Sequence, residues 1–327
     1  MEFKYNYYFY ATNIDYYKVA YYDLDSLSFV KLDYSGIKNN SRICNFLFKT
    51  HFSSTINNRI DLPFKRIWYP QLFSYDFSND KPICFVFFGR EAKKYGSDYL
   101  IYLKNRYPRS KIAISFLDLI KNTLSDTEFY DLKKHADLIF TYDYGDAKKY
   151  DLLYQHDVFS KYPVTFNSKI KECDVFFLGK AKNRLREIIQ AYDVFTANGI
   201  SCEFYVTEVK TCERISRKNI HYLDKSMDYI ENLQHVCSAK ALLEIVQEGA
   251  RGSTLRCCEA VTYGKILITN NSEAKKEPFY NEKAIKLFKS IDELKMIQSE
   301  EIRKPIKFEN IDSISPVSFL ERLEGLM

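Results

Sequence analysis

The sequence has no apolar run long enough to cross a bilayer, and its most apolar stretch is Ile83–Phe88. A membrane-spanning helix needs about 20 apolar residues, so we predict no transmembrane helix. The N-terminus also lacks the apolar core and the small-residue cleavage site of a signal peptide. These absences lead us to expect a cytoplasmic protein.

Cysteine and histidine residues at metal-binding spacings are also missing. None of the 8 Cys residues forms a C-x-x-C pair, so we expect reduced, mostly buried thiols and no disulfide framework. The 5 His residues have no metal-ligand spacing, and we predict no metal site. A net charge of +5 suits an anionic small ligand or an acidic membrane surface, but it is too small and too dispersed for nucleic acid.

Glycine is scarce, with 10 residues in a chain of 327, and the glycine-rich loops of common nucleotide-binding proteins are absent. No G-x-G-x-x-G follows the first predicted strand and no G-x-x-x-x-G-K-[ST] occurs, which disfavours a standard dinucleotide-binding fold and a P-loop hydrolase. The absence of G-x-S-x-G disfavours an α/β-hydrolase. A phosphate site in this chain therefore needs a different arrangement.

Short apolar strands alternate with helices along most of the chain, which is typical of parallel sheets covered by helices. The pattern starts again after a non-periodic segment, 162–171, and the length exceeds one ordinary core, so we predict two α/β domains. The predicted strands are Phe3–Tyr10, Ser28–Asp33, Pro82–Phe88, Lys111–Phe116, Ala136–Tyr142, Asp174–Leu178, Cys202–Val206, Asn219–Leu223, Ala241–Val246 and Lys265–Thr269. The predicted helices are Ser97–Arg106, Asp126–His135, Arg184–Ala197, Met227–Cys237, Thr254–Tyr263 and Ser315–Leu326.

The segment Ala241–Asn271 combines features of an anion-binding site. A buried strand is followed by a loop that contains Gly249 and Gly252, and a helix begins near Thr254. Glycines let backbone N–H groups approach a ligand, and the N-terminus of a helix offers free N–H donors. Arg256, in the first turn of that helix, adds a charge that can pair with phosphate oxygens.

Glu259 lies one turn after Arg256 on the same side of the predicted helix, and its carboxylate can accept two hydrogen bonds from a ribose diol. A local alternative explains the same residues: Ser253 or Thr254 only caps the helix, and Arg256 and Glu259 form a surface ion pair. Spacing alone does not separate the two interpretations.

A lysine-rich loop, Gly179–Arg184, directly follows the predicted strand Asp174–Leu178. In an open α/β sheet, the loops at the carboxyl ends of strands share one crevice. This loop and the loop before Thr254 both follow strands, so they can face the same ligand. Together they predict a diphosphate-binding site.

At these residues the sequence resembles the nucleotide-sugar-binding half of GT-B glycosyltransferases, especially the bacterial group that builds capsular polysaccharide and lipopolysaccharide. The resemblance rests on DVFFLGKAKNR (174–184), the loop that contains Glu248 and Gly249, the T-L-R-x-x-E-A helix from Thr254 to Ala260, and KILITNN (265–271). It implies an α/β, GT-B-like fold of two Rossmann-like parallel-sheet domains facing a central cleft. The implied parts are an acceptor-binding domain 1–165, a nucleotide-sugar-binding domain 166–312, and a C-terminal helix 313–327 that packs back on the first domain.

The resemblance implies transfer of a sugar from a nucleotide-diphospho-sugar donor to a glycan or lipid-linked glycan, in bacterial surface polysaccharide synthesis. The donor is a substrate, so the resemblance implies no cofactor. Glu259 would bind the ribose, and Lys180 and Arg184 would neutralise the diphosphate. The implied donor-binding residues are Gly179, Lys180, Arg184, Glu248, Gly252, Ser253, Thr254, Leu255, Arg256 and Glu259.

The catalytic residues depend on the stereochemistry of the transfer. Many retaining members of the group have two Glu separated by seven residues, but Arg251 stands eight positions before Glu259. Glu248 would be the displaced counterpart if the loop carries an insertion. An inverting enzyme would need a general base instead, and Asp118 and Glu91 are candidates. Two alternatives stay open: a GT-B-type sugar-nucleotide epimerase, and a non-catalytic partner subunit of an active glycosyltransferase.

The stretch Lys65–Tyr69 mixes basic and aromatic residues. Trp and Tyr favour the headgroup region of a bilayer, while Lys and Arg favour anionic lipids. We therefore predict peripheral contact with the inner face of the cell membrane, where a lipid-linked acceptor is reached. The alternative is that these aromatic residues fill the core.

Overall fold

The computed structural model describes residues 2–37, 41–57, 59–60, 62–246 and 252–327. The chain divides into two compact units, and each unit contains one six-stranded sheet in which all paired strands are parallel. The first unit comprises Met1–His156 and Pro316–Met327, and the second comprises Asp157–Ser315. The structural boundary therefore follows His156, whereas the boundary expected from the sequence follows residue 165.

The sheet of the first unit has the strand order β2-β1-β3-β4-β5-β6. Its strands are β1 (Asn6–Tyr10), β2 (Val30–Asp33), β3 (Ile83–Phe88), β4 (Lys111–Phe116), β5 (Leu138–Thr141) and β6 (Leu153–Tyr154). Its helices are α1 (Asp15–Ala20), α2 (Arg42–His51), α3 (Ser54–Asn57), α4 (Tyr69–Leu72), α5 (Gly89–Arg106), α6 (Ile120–Thr123), α7 (Asp126–Lys133) and α8 (Tyr144–Tyr150). 3-10 helices occupy Tyr22–Ser26 and Lys65–Trp68.

Helix α5 begins eight residues before the helix expected from Ser97, because it continues directly from the end of β3. Gly89 makes this possible: a Cβ built there would lie 2.5 Å from a ring carbon of Phe116 on the next strand. Gly96 interrupts the helix with a φ of 72°, a conformation open to glycine, and this kink hides the helical periodicity of the first turns.

The terminal helix, α13 (Pro316–Leu326), belongs to the first unit. Its Glu324 is buried and accepts hydrogen bonds from the Tyr7 hydroxyl (2.6 Å) and the Lys4 backbone N–H (2.8 Å). Arg322 donates to the backbone oxygen of Tyr154 at 2.8 Å. The helix therefore joins the two ends of the chain in one unit.

The sheet of the second unit has the order β12-β11-β10-β7-β8-β9. Its strands are β7 (Cys173–Lys180), β8 (Cys202–Thr207), β9 (Ile220–Leu223), β10 (Ala239–Glu244), β11 (Ile266–Thr269) and β12 (Ile285–Leu287). Its helices are α9 (Leu185–Ala197), α10 (Tyr229–Ser238), α11 (Leu255–Thr262) and α12 (Ser299–Ile302), with 3-10 helices at Thr211–Glu213, Ser272–Lys276, Ile291–Met296 and Ile311–Ile314. The strand order reverses between β7 and β10, so the loops after these two strands border one crevice.

The predicted α/β class with two parallel sheets is confirmed, and each of the ten predicted strands is present. Two strands were not predicted, Leu153–Tyr154 and Ile285–Leu287, because two or three residues are too few to show a periodic pattern. No helix in the described ranges has the length and apolarity needed to cross a membrane.

An ion pair ties the start of β7 to the end of α12. Arg303 donates to both carboxylate oxygens of Asp174, at 2.8 and 2.9 Å, and Ser201 donates to the same carboxylate. The Arg303 hydrogen bond lowers the pKa of Asp174 to about 2. Because this lies below the value of about 3.9 for an unfolded Asp, the pair stabilises the fold above about pH 4 and loses that contribution as the pH falls toward 2.

We therefore expect Asp174→Asn to lower the free energy of unfolding at pH 7 by about 1–3 kcal/mol, and to flatten the loss of stability between about pH 4 and 2. Urea denaturation of parent and variant across this range measures both effects. The control is Asp292→Asn, which removes an exposed ion pair with Lys295 and should change little. Parallel pH profiles for the parent and Asp174→Asn would contradict the prediction.

Candidate functional site

The candidate site lies in the second unit, at the carboxyl ends of β7 and β10. Gly179 and Lys180 are the last residues of β7, and Glu244 is the last residue of β10. A Cβ at Gly179 would lie 3.0 Å from the Phe177 ring, so this position favours glycine. The parallel pairing of β7 with β10 brings together the two loops that the sequence analysis predicted to share a crevice.

Arg184 joins these two loops. Its Nη1 donates to the backbone oxygen of Ile245, just beyond β10, and its Nη2 donates to the backbone oxygen of Lys180 at 2.8 Å. Burial lowers the pKa of Arg184, and its Nε has no hydrogen-bond partner among the described residues. The guanidinium predicted to neutralise a diphosphate is therefore used largely to hold the crevice in shape.

Glu244 places a buried carboxylate at the centre of this crevice. Its role was not predicted from the sequence. It accepts hydrogen bonds from the hydroxyls of Thr254 and Thr269. Burial raises the pKa of Glu244. Thr254 also caps α11 by accepting from the Cys257 N–H at 3.3 Å, so Glu244 orients the residue that begins the helix. The available signal was a single acidic residue inside the apolar run ALLEIV.

Arg256 and Glu259 form a buried ion pair, with 2.6 Å between Nη1 and Oε2. Glu259 is only 1% exposed, and its other oxygen accepts from the Tyr229 hydroxyl (2.6 Å) and the Asn232 amide (2.9 Å). Arg256 also donates to the backbone oxygen of Leu178 at 3.1 Å. The surface ion pair of the local alternative is therefore wrong in its burial, and a ribose diol would have to displace one of these donors.

Two asparagines after β11 hold both ends of the loop between β10 and α11. The N–H of Val246 donates to the Asn270 side chain at 2.7 Å, and the Asn271 amide donates to the backbone oxygen of Gly252 at 2.8 Å. Ser253, which follows Gly252, is buried. Glu248 lies outside the described residues, and its catalytic role stays a prediction.

Lys180 presents its charge at the mouth of the crevice. Its side chain is 54% exposed, and its Nζ lies 2.6 Å from Oε1 of Glu208, just beyond β8. A cavity of about 450 Å³ opens beside Glu208 at the carboxyl ends of β8 and β9. Three cations and two carboxylates line it, namely Lys210, Arg214, Lys225, Glu208 and Asp224. These lining cations were not predicted, because each is a lone basic residue in an irregular loop.

The candidate bases of the first unit follow β3 and β4. Asp118 lies 3.7 Å from Arg90 and accepts from the Asn122 amide at 3.1 Å, and its carboxylate reaches solvent. Glu91 is buried and pairs with Lys94 at 3.2 Å. In the described part of the chain, no group of three or more His, Cys, Asp or Glu side chains could hold a metal ion.

No protein-family model matches the sequence, and no curated protein matches it. Solved structures nevertheless share its fold. It superposes on the lipopolysaccharide outer core galactosyltransferase WaaB with a TM-score of 0.51 and 10% identity, over 98% of each chain. It superposes on the α,α-trehalose-phosphate synthase (UDP-forming) of Burkholderia vietnamiensis with a TM-score of 0.53 and 8% identity, over 98% of this chain and 99% of that one.

A third similar structure is an α-glucosyltransferase in complex with UDP and a 13-mer DNA, with a TM-score of 0.51 and 11% identity, over 98% of this chain and 93% of that one. These matches extend over nearly the whole of each chain, so they establish the fold. Their sequence identities are too low to indicate which substrate this protein uses. The chain therefore has the GT-B fold.

Proposed function

We propose that the protein is a glycosyltransferase that moves a sugar from a nucleotide-diphospho-sugar to a glycan or lipid-linked glycan. The observation that carries this proposal is the crevice between β7 and β10. There the exposed Lys180 and the N-terminus of α11 follow two adjacent strands, and Arg184 and Glu244 hold the loops between them. This arrangement suits a diphosphate without a glycine-rich phosphate loop.

The same crevice suits the chemistry of the transfer. Cleavage of the bond between sugar and phosphate leaves a nucleoside diphosphate, so negative charge grows on the leaving oxygens in the transition state. Groups held in place before the reaction stabilise that charge without reorganising. The Lys180 ammonium and the backbone N–H donors at the start of α11 are such groups, and Arg184 and Glu244 keep them in place.

We place the nucleoside in the cavity at the ends of β8 and β9. Its volume of about 450 Å³ lies within the range of small-molecule sites, about 300–1,000 Å³. Glu208 lines this cavity and pairs with Lys180, so the cavity adjoins the proposed diphosphate position. Lys210 and Lys225 add positive charge at its rim.

The names of the similar structures supply support for the pathway and the first ligand to test. One is a lipopolysaccharide galactosyltransferase, and the other two mention UDP. We propose that this protein also acts in bacterial surface polysaccharide synthesis, in the cytoplasm at the inner face of the membrane. UDP is the first nucleotide to test, and GDP and CMP are tested for comparison.

We expect a nucleoside diphosphate to raise the thermal midpoint of the full chain, and the matching nucleoside to raise it much less. At a ligand concentration of 100 times Kd, binding adds about 2.7 kcal/mol of stability. Thermal shift with UDP and GDP, with uridine and guanosine, and with CMP as a monophosphate tests binding, and release of UDP from UDP-sugars tests chemistry.

Each outcome separates the alternatives. If no nucleotide raises the thermal midpoint, the proposed donor site is wrong. Interconversion of UDP-sugars without release of UDP would favour the epimerase. Binding without release of UDP, in the presence of an acceptor pool from a polysaccharide-producing bacterium, would favour the non-catalytic subunit.

A further inference from the structure

Helix α2 in the first unit is apolar on two faces. One face packs into the core through Phe48, which is buried. The other presents Ile43, Phe46 and Leu47, at helix positions i, i+3 and i+4, which are 73%, 68% and 45% exposed. Phe48 packs into the core of the first unit, whereas Ile43, Phe46 and Leu47 do not. Core packing therefore does not explain why these three residues are apolar.

A turn that packs against α2 carries two further exposed apolar side chains. The Trp68 indole donates to Nδ1 of His51, the last residue of α2, at 2.6 Å, and its ring packs on Phe48 with 5.6 Å between centroids. This docks the 3-10 helix Lys65–Trp68 beside α2 and leaves Phe64 and Ile67 exposed, at 76% and 57%.

The sequence-based choice of Trp68 and Tyr69 as headgroup-facing residues is wrong, because both are buried in the core. The exposed residues are their neighbours Phe64 and Ile67. Phe64 has a φ of 66°, in the left-handed region that non-glycine residues adopt uncommonly. The chain thus holds a large aromatic side chain outward on an unfavourable backbone conformation.

Basic residues outnumber acidic ones in the segment that carries these apolar side chains. The sequence from 41 to 69 has five Lys or Arg and one acidic residue, Asp61, while the whole chain is nearly balanced at 48 Lys and Arg to 43 Asp and Glu. Arg42, Lys49, Arg59 and Arg66 are exposed, and Arg66 also pairs with the exposed Asp98 at 3.3 Å. We call Ile43, Phe46, Leu47, Phe64 and Ile67, with these four cations, the α2 surface.

We propose that the α2 surface binds an anionic lipid bilayer. Its apolar side chains would enter the boundary between headgroups and acyl chains, while Arg and Lys pair with lipid phosphates. A second copy of this chain fits poorly, because a two-fold contact would bring the same cations face to face. The inference deepens the proposed function by naming where a lipid-linked acceptor is met, but lipid binding does not depend on glycosyl transfer.

Co-sedimentation of the full chain with vesicles tests this surface. We expect binding to vesicles of phosphatidylcholine with phosphatidylglycerol, little binding to phosphatidylcholine alone, and loss of binding at high salt. Phe46→Ser/Phe64→Ser and, separately, Arg42→Glu/Lys49→Glu should each weaken vesicle binding by about tenfold or more.

Matched controls lie in the second unit. Phe166→Ser removes a Phe that is 84% exposed, and Lys169→Glu/Lys171→Glu makes the same change in net charge at exposed lysines. Both controls should bind vesicles as the parent does. Thermal midpoints show which variants are folded, and Ile43→Ser provides a second, single change if the double variant of Phe46 and Phe64 fails to fold.

Three results would overturn the proposal: no binding of the parent to either vesicle, equal losses in the α2-surface variants and the controls, or binding to polyglutamate through the α2 surface without vesicle binding. The last would indicate an acidic protein partner. Transfer to a water-soluble acceptor without vesicle binding would overturn the lipid surface alone. Vesicle binding without any nucleotide binding would overturn the donor site alone.

Discussion

Replacement of Glu259 by Ala is expected to lower the free energy of unfolding of the second unit by about 3–5 kcal/mol, because it leaves a buried charge without its partner. Arg256 would lose the carboxylate 2.6 Å from its Nη1. Tyr229 and Asn232 would lose the oxygen to which both donate. One substitution therefore disrupts the packing of α10 against α11.

Urea denaturation followed by circular dichroism measures this loss, and two further variants identify its cause. Glu259→Gln keeps the shape and one acceptor oxygen, so it should cost less than Glu259→Ala. Arg256→Met/Glu259→Leu removes both charges and should recover much of the loss, because the cost comes mainly from the uncompensated charge. A Glu259→Ala variant as stable as the parent would show that the ion pair is not needed for folding.

The proposed contact between Glu259 and the ribose is tested on a folded variant. If the carboxylate also accepts from the ribose diol, Glu259→Gln should bind UDP more weakly by about 1–3 kcal/mol. Unchanged affinity for UDP, measured by calorimetry, would limit Glu259 to holding the two helices together.

Replacement of Lys180 by Met is expected to reduce kcat by a factor of about 10²–10³, the usual effect of removing one preorganised group that stabilises transition-state charge. Lys180 is the exposed cation at the end of β7, and its pairing with Glu208 orients it at the mouth of the crevice. Because the charge on the leaving diphosphate grows during the reaction, kcat should fall more than KM rises.

Lys182→Met is the matched control, since it removes the same charge from the same loop. Lys182 lines a different cavity, of about 470 Å³, beside the start of α9. Steady-state release of UDP from the donor, once identified, should therefore be nearly unchanged in Lys182→Met. Equal losses in the two variants would mean that the net charge of the loop matters and that Lys180 has no specific contact. An unchanged kcat in both variants would show that Lys180 does not stabilise the transition state.

Arg184 illustrates how far a local pattern can predict a role. Its place in a lysine-rich loop after a strand indicated a ligand contact, yet it donates to Ile245, 61 positions further along the chain. That partner exists only because β10 pairs with β7, and the pairing places the two loops within reach of one side chain. A sequence motif reports a residue's neighbours along the chain, not the partners brought to it by strand pairing.

The amino-acid sequence was enough to locate ten strands, because an apolar run is a local property: Lys111–Phe116 was predicted with the bounds that the structure shows. Helix positions were predicted less completely, since α2 was not predicted and α5 begins eight residues before the helix expected from Ser97. The strand order, the burial of Glu259 and the outward position of Phe64 could not be predicted from local patterns. These depend on contacts between segments far apart in the chain, whose pairing is chosen by the packing of the whole unit. Burial in turn decides what a charge does, since a carboxylate enclosed by three donors stabilises the fold and the same carboxylate at the surface would be open to a ligand.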